Sequence, residues 1–332
     1  MDPLSHLLAL LQPRSYITAG FDAGGSWSLV LDDLAGRIKC YAVMKGECWL
    51  SIDDMETPVW LQAGDCFVLP TGRRAAIAGD LDAKPRLASQ TLEPSRSGQV
   101  ITYNGGGDVF LVGSRFEVEG RHAEVMLQTL PPLIRVEASA DQAKLRLYIE
   151  LMMDELREGR PGAGQVAQNL SHMMLAQTLR LYIERLPQGE VGWLAALADP
   201  RLAAGLTAMH AAPAHPWTVQ ELARISGMSR TSFAQHFRMR VGLSPISYLT
   251  QLRMMSAAAH LIRGVETISD ISVSLGYASD QAFSTAFKRT TGRSPRQYAK
   301  ESQLRELWPV TLVGGESDGA AGASRSERAA SV

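Results

Sequence analysis

Little in this chain points to an extracellular or membrane setting. Its 332 residues hold three cysteines, Cys40, Cys48 and Cys66, an odd number without CxxC spacing. That excludes a disulfide scaffold and a zinc ribbon and leaves reduced thiols as the expectation. Long apolar runs are missing too: the opening MDPLSHLLALLQPR has no basic stretch, and Gln12 and Pro13 break its hydrophobic run. Neither a secretory signal nor a membrane span is read from it, and a cytoplasmic protein is expected. Net charge is nearly absent as well, at −1, which taken alone argues against a nucleic-acid binder. The average conceals a partition. Between His215 and Lys300 stand eleven bases against four acids, a formal +7, which leaves −8 on the remainder. A basic module on an acidic body is the layout of a chain that meets phosphates with one part and does something else with the other.

The length exceeds one typical domain, so separate folding units are expected. From about Ser26 to Ile77 short apolar runs alternate with the turn signals Lys45-Gly46, Asp53-Asp54, Ala63-Gly64-Asp65 and Pro70-Thr71-Gly72, the punctuation of a β-meander or small barrel. Lys45-Gly46 is expected to close a hairpin with Cys40, Ala42 and Met44 on one arm and Cys48, Leu50 and Ile52 on the other. Gln99 to Tyr103 and Asp108 to Phe116 read as further strands. After Pro131-Pro132 the period turns helical. Leu145, Tyr148, Met152 and Leu156 form one stripe; Val166, Leu170, Met173, Met174, Leu179 and Tyr182 form a second beyond a Gly/Pro loop. The stripes of this helical hairpin read as packing on each other and on the barrel, with homodimerisation as an alternative use. Asp199-Pro200 supplies a cap and a first-turn proline for a further helix. From Gly314 onward almost no large apolar residue occurs, and a disordered tail is expected.

The most informative feature is an internal repeat. WTVQELARISGMSRTSFAQHFRMRVGLSPISYL matches ISDISVSLGYASDQAFSTAFKRTTGRSPRQYA, pairing Gly227 with Gly276, Phe233 with Phe283, Phe237 with Phe287, Gly242 with Gly292, Pro245 with Pro295 and Tyr248 with Tyr298. Each copy reads as helix, tight turn, helix. Thr218 and Glu221 form a capping box for a first helix that buries Leu222, Ala223 and Ile225. Gly227 ends that helix and Ser229 caps the next, roles that pass to Gly276 and Ser279. With Phe233 and Phe237 buried, helical geometry leaves Thr231, Gln235 and Arg238 opposite; with Phe283 and Phe287 buried it leaves Gln281, Thr285 and Lys288. These polar and cationic faces suit a major groove, since Arg and Lys donate to guanine, Gln pairs with adenine and Thr meets a phosphate or a thymine methyl. Arg230 and Arg289 flank the two faces. Ser244-Pro245 starts a helix to about Arg263 that spaces the two readers, whose target grooves lie about one turn, ~34 Å, apart.

Residues ~203 to 301 resemble the DNA-binding domain of the AraC/XylS family. The resemblance is carried by Leu222-Ala223, Gly227-Met228-Ser229, Phe233, Phe237, Gly242, Ser244-Pro245, Leu252-Arg253, Ala257, Ile271, Gly276-Tyr277, Phe283, Phe287-Lys288-Arg289, Gly292, Ser294-Pro295 and Tyr298. Ser272 departs from the alanine usual there. The front half is similar to the cupin-type domain of one branch of that family, through Asp2-Pro3-Leu4-Ser5, Gly46-Glu47-Cys48-Trp49-Leu50, Leu61, Ala63-Gly64-Asp65, Leu69-Pro70, Gly72 and Leu130-Pro131-Pro132 followed by Ile134-Arg135-Val136. The implied fold class is α+β: a cupin-like β-barrel over 1–135, a helical linker over 136–198, an all-α double helix-turn-helix domain over 199–301, and a tail over 302–332.

The resemblance also implies promoter DNA as partner, RNA polymerase as a further contact, a role as activator with repression left open, and a barrel interior able to hold a small effector. Metal-binding cupins converge histidines and a carboxylate inside the barrel. Here Tyr41 and Ala75 stand where the family's histidines are expected, and His6 and His122 form no suitable pair, so no metal and no cofactor are expected. Trp27, Tyr41, Trp49, Trp60 and Phe67 are candidate pocket residues, with barrel core as their alternative role. Cys40 and Cys48, on facing arms of the expected hairpin, are a candidate redox pair, weighed against buried inert thiols. A cupin-type metalloenzyme fused to a DNA-binding module and a nucleoid-type binder with little sequence preference remain as competing readings.

Overall fold

A computed structural model of the chain describes residues 2–307 except 12–13, 35, 93–99, 119–126, 140–142, 159 and 188–189. The tail beyond 307 and His122 lie outside the described residues, as does the side chain of Leu156. Eleven described strands form two sheets: β1 (Arg14–Ala23), β2 (Ser28–Leu31), β3 (Arg37–Lys45), β4 (Glu47–Ile52), β5 (Val59–Gln62), β6 (Cys66–Leu69), β7 (Ala75–Ala78), β8 (Arg86–Leu87), β9 (Val100–Tyr103), β10 (Val109–Glu117) and β11 (Ile134–Val136). The six-stranded sheet runs β11-β6-β3-β10-β1-β9 and the five-stranded one β5-β4-β7-β2-β8. Trp27, Leu29, Val43, Cys48, Leu50, Leu61, Phe67 and Leu111 fill the space between them.

The other face of the larger sheet presents Ile38, Cys40, Ala42, Cys66, Val68, Val112 and Phe116 to a second core. Helices α3 (Ala143–Glu158) and α4 (Ala163–Arg185) cover it, while α1 (Pro3–Leu11) and α2 (Ala88–Thr91) are shorter helices elsewhere. No described helix is long and apolar enough to cross a membrane.

Three sequence expectations are corrected. The hairpin at Lys45-Gly46 does not form: β3 pairs with β6 and β10, whereas β4 pairs with β5 and β7. The chain turns through Gly46 at φ +73° and passes from one sheet to the other. Alternating apolar residues look the same in both arrangements, because period 2 reports a buried face and not a partner. Consequently Cys40 faces the helices and Cys48 faces the space between sheets.

In the hairpin of helices, Val166 and Met173 are exposed. Each precedes a core position, Ala167 or Met174, by one residue and so lies about 100° round the helix. Third, Ile225 is 40% exposed. The core lies under Leu222, Ala223 and Ser226, and Ile225 projects about 100° from the centre of that face.

The C-terminal part is helical: α5 (Trp193–Ala198), α6 (Pro200–Ala211), α7 (Val219–Ile225), α8 (Arg230–Val241), α9 (Pro245–Arg263), α10 (Ile268–Ser274), α11 (Asp280–Thr291) and α12 (Pro295–Leu307). Asp199 caps α6 as expected, accepting from the Arg201 N–H, with Pro200 in the first turn. Leu202, Leu206, Leu222, Phe233, Phe237, Tyr248 and Leu252 extend the second core, and Leu7 and Leu11 of α1 join it. Met254, Ala257, Leu261, Ile271, Leu275, Phe283, Phe287 and Tyr298 make a third. The 19-residue α9 supplies side chains to both, a rod of about 28 Å at 1.5 Å per residue.

The third core contains one flaw. Ser272, completely buried, occupies the place that Ala223 takes in the first repeat, and its Oγ has no hydrogen-bond partner among the described residues. A buried hydroxyl without a partner costs about 1 to 3 kcal/mol. Ser272→Ala is therefore expected to stabilise the protein by ~1 kcal/mol, read as a higher urea midpoint; an unchanged or lower midpoint contradicts this account.

Candidate nucleic-acid interface and barrel cavity

Each helix-turn-helix unit is set by local chemistry. Thr218 Oγ1 accepts from the Glu221 N–H at 3.2 Å, and Glu221 Oε2 accepts from the Thr218 N–H at 2.9 Å, the expected capping box. The second unit has the same box from Thr267 and Asp270, at 3.1 and 3.2 Å. That box went unread because a shorter acid replaces Glu, although the Thr-x-x-Asp spacing was its signal. Gly227 and Gly276 adopt φ +63° and +76° after the first helices. Ser229 and Ser279 cap α8 and α11 through the N–H groups of Ser232 and Ala282. Phe233, Phe237, Phe283 and Phe287 are fully buried.

All eight candidate DNA-contacting residues are exposed: Arg230, Thr231, Gln235 and Arg238 on α8, and Gln281, Thr285, Lys288 and Arg289 on α11. Among the described residues no carboxylate lies within ion-pair distance of Arg230, Arg238, Lys288 or Arg289. The Thr285 hydroxyl donates to the Gln281 carbonyl at 2.8 Å, which commits its proton to the helix. The units differ at one end: Asp280 opens α11 where Arg230 opens α8.

Arg253, which sequence reading took as a charge and as part of the family signature without giving it a contact, joins the units. Its Nε donates to the Pro213 carbonyl at 2.6 Å, and its Nη2 to those of Ala214 and His215 at 3.2 and 2.9 Å. The guanidinium also lies 5.7 Å from the centre of the Tyr277 ring in the second turn. Next to it, any Cβ at residue 276 would come within 2.1 Å of the Ala214 oxygen, so this close approach between the units requires Gly276.

A buried polar chain links α1 to the first unit. Trp193 Nε1 donates to Tyr248 Oη at 2.8 Å, Tyr248 Oη lies 2.5 Å from His210 Nε2, and His210 Nδ1 lies 3.0 Å from His6 Nδ1. Indole nitrogen only donates, so the arrangement that satisfies every member runs Trp193 to Tyr248 to His210 to His6, with both imidazoles neutral. Burial, aided by His6, pushes His210 down to about 3, and burial lowers His6 as well.

The barrel holds a cavity of about 310 Å³. Trp27 and Tyr41 line it, together with Phe21, Leu29, Ile77 and Leu111. Trp49, Trp60 and Phe67 do not. Phe67 is buried beneath Tyr41, stacked at 5.2 Å, and the two tryptophans pack edge to face on each other at 4.6 Å on neighbouring strands.

Sequence reading missed the charged end of the lining, formed by Asp33, Lys39 and Arg115. Asp33 accepts from Lys39 Nζ, from Arg115 Nη1 at 3.0 Å and from Arg37 Nη1 at 3.4 Å. Burial alone would raise the Asp33 carboxyl, but Lys39 and Arg115 outweigh it and hold it below the usual range. Burial would likewise lower Lys39, and Tyr41 and Asp33 outweigh it to raise the ammonium. Asp33 and Lys39 are therefore both charged at neutral pH.

The cysteines are buried and unbridged. Burial pushes the Cys40 and Cys48 thiols up to about 12 and Cys66 well above its ordinary value, which removes the thiolate that redox chemistry needs. Among the described residues no three His, Cys, Asp or Glu side chains are grouped to hold a metal ion.

Two helix-turn-helix units clamped on one spacer, with basic reading faces outward, define a DNA-binding protein that carries a barrel domain. The Cupin family matches residues 2–184, and the Helix-turn-helix domain family matches 222–301. A relative from Streptomyces antibioticus described as an AraC-like transcription regulator is 38% identical over 301 residues, 90% of this chain and 99% of its own. The RCS-specific HTH-type transcriptional activator RclR of Escherichia coli strain K12 is 29% identical over 312 residues, 93% of this chain and 100% of its own. Solved ToxT from Vibrio cholerae O395 is similar at 11% identity and a TM-score of 0.34, over 86% of this chain and 97% of that one, too slight a likeness to add to the assignment. The chain belongs to the AraC family of transcription regulators, with a cupin-type N-terminal domain.

Two outcomes are expected. Lysine cannot reach three carbonyls with one fork, so Arg253→Lys should cost roughly 2 kcal/mol in urea unfolding and weaken binding to a specific duplex more than to random DNA. Equal losses on the two duplexes would show that Arg253 does not set the relation of the readers. For His210, the unfolded side chain titrates near 6.5 and the folded one near 3, so between these values the unfolded state binds more protons. The stability contributed by the neutral imidazole is complete above pH 6.5 and declines as pH falls, by roughly 2 kcal/mol at pH 5. Urea midpoints should therefore drop more from pH 7 to pH 5 in the wild type than in His210→Gln; parallel declines would place the acid sensitivity elsewhere.

Proposed function

We propose that this regulator reads a specific promoter site by laying α8 and α11 into successive major grooves, and that the barrel cavity receives a small effector controlling that grip. The observation that carries the reading is the repeated, outward, cationic face on two units held by one arginine. Gln235 and Arg238 would contact base edges, Thr285 a thymine methyl, and Arg230 and Arg289 the flanking phosphates. The carboxylate of Asp280 repels phosphate at the start of α11, so the second unit contributes less to affinity than the first.

The DNA unit shares one core with the outer face of the larger sheet, whose inner face lines the cavity. Phe237 of α8 lies 5.7 Å from Tyr248, whose hydroxyl leads through His210 to His6 on α1. An effector that favours one arrangement of barrel and helices would shift the population that binds DNA.

Titration of the full chain onto its own upstream region against a scrambled duplex, at physiological salt, tests the DNA reading. A preference of ~10³ or more supports it, and equal affinity supports a nucleoid-type binder instead. Arg238→Ala and Gln235→Ala should each weaken the specific complex by about 1 to 3 kcal/mol and the random complex much less. Equal loss on both duplexes would make the residue a phosphate contact.

A further inference from the structure

We infer that His236 and Arg240 are positioning residues for base reading: they fasten the flank of α8 to segment 190–199, which arrives from the helices that cover the barrel. The aim of the first reader is thereby fixed from outside its own helix-turn-helix unit, and that of the second is not. This rests on the reading of α8 and α11 as the helices that enter the grooves and goes beyond it to what orients one of them. The two residues stand at i and i+4 on α8 and share one flank, between its outward face and its buried phenylalanines. Asp199 Oδ1 accepts from the Arg201 N–H at 3.0 Å, and its Oδ2 accepts from His236 Nε2 at 2.7 Å, so the carboxylate that caps α6 also holds the reading helix. A turn further on, Arg240 Nη1 donates to the Glu190 carbonyl, and the Gly192 N–H donates to the Arg240 carbonyl at 2.7 Å. That carbonyl belongs to the last turn of α8, where a helix has no partner of its own to offer.

Between these tethers lies α5, which buries Trp193, Leu194 and Ala196 and packs against both α4 and α8. The second unit supplies the contrast. In the register that pairs Phe233 with Phe283, Ala286 stands for His236 and Thr290 for Arg240. The Thr290 hydroxyl turns back to the Ala286 carbonyl at 3.0 Å, and α11 packs on α9, α10 and α12, all within the DNA-binding part. Its orientation is set by its own domain. A hydrogen bond of about 2.9 Å to a base edge is lost by about 3.6 Å, so slack of about 0.7 Å at the flank of α8 is enough to blur what Gln235 and Arg238 read. A displacement of segment 190–199 reaches α8 directly and α11 through α9.

The test uses the full chain to select duplexes from a library randomised over both grooves and reads the enrichment of each base at each position. Gln235→Ala and Gln281→Ala mark which positions belong to α8 and which to α11. Because enrichment is a ratio between duplexes bound by the same protein, a loss of folded protein leaves it unchanged. His236→Leu and Arg240→Met should each lower enrichment at the α8 positions about tenfold and leave the α11 positions as in the wild type. His236→Gln, which keeps a donor for Asp199, should retain most of the preference. Full enrichment at the α8 positions in His236→Leu or Arg240→Met, an equal fall at the two halves, or a His236→Gln protein as poor as His236→Leu overturns the inference and leaves the promoter reading standing. If the wild type enriches no sequence, or neither glutamine change flattens any position, the promoter reading falls and this inference with it.

Discussion

Two helix-turn-helix units keep a fixed separation and angle only where something ties them, and here one guanidinium reaches both. Arg253 ties the segment before α7 to the middle of α9 through three carbonyl oxygens and reaches the ring of Tyr277 in the second turn. Carbonyls in a connecting segment would otherwise need water or each other, and a planar fork with several donors suits such a convergence. The absence of a side chain at Gly276 permits the backbones to close on that point. Around it the rest follows: α9 carries two hydrophobic cores, each core seats a reader helix, and each seat turns its polar face outward.

The six-stranded sheet plays the corresponding part in the barrel. With both faces buried, β10 presents Leu111 and Arg115 to the cavity and Val112 and Phe116 to the helical core. Ser114 lines the cavity and donates to the Met152 sulfur on α3 at 3.8 Å. A strand packed on both sides cannot move without displacing one of its neighbours. Cavity and helices are therefore separated by a single layer.

What was legible in the sequence was what is local or repeated. Capping residues act within three positions, so Thr218 with Glu221 and Ser229 with Ser232 were readable from spacing alone, and the aligned phenylalanines identified the buried faces. Contacts between distant segments were not. Lys39 and Arg115 meet Asp33 from 6 and 82 positions away, and each reads in isolation as a strand-edge charge. Of the aromatic residues read as pocket candidates, Trp27 and Tyr41 line the cavity, whereas Phe67 packs in the core beneath Tyr41 and Trp49 and Trp60 lie on the partly exposed face of their strands, because residue type does not say which wall of a barrel is hollow. The Gly46 turn misled for the same reason: a glycine between two strands marks a change of direction without naming the sheet that receives the chain.

The docking of α1 bears on how the molecule is made. His6 meets His210 across 204 positions, and Leu7 and Leu11 are covered by a core that includes α6 and α9. Helix α1 thus completes its seat only after α6 and α9, far later in the chain, have been synthesised. Until then its leucines have only the cover that Ile38, Val68 and their neighbours provide, and remain partly available to chaperones or to a neighbouring nascent chain. Closing so long a loop is entropically unfavourable before the contacts that reward it exist. Helix α1 therefore precedes its partners in synthesis and waits for them in assembly.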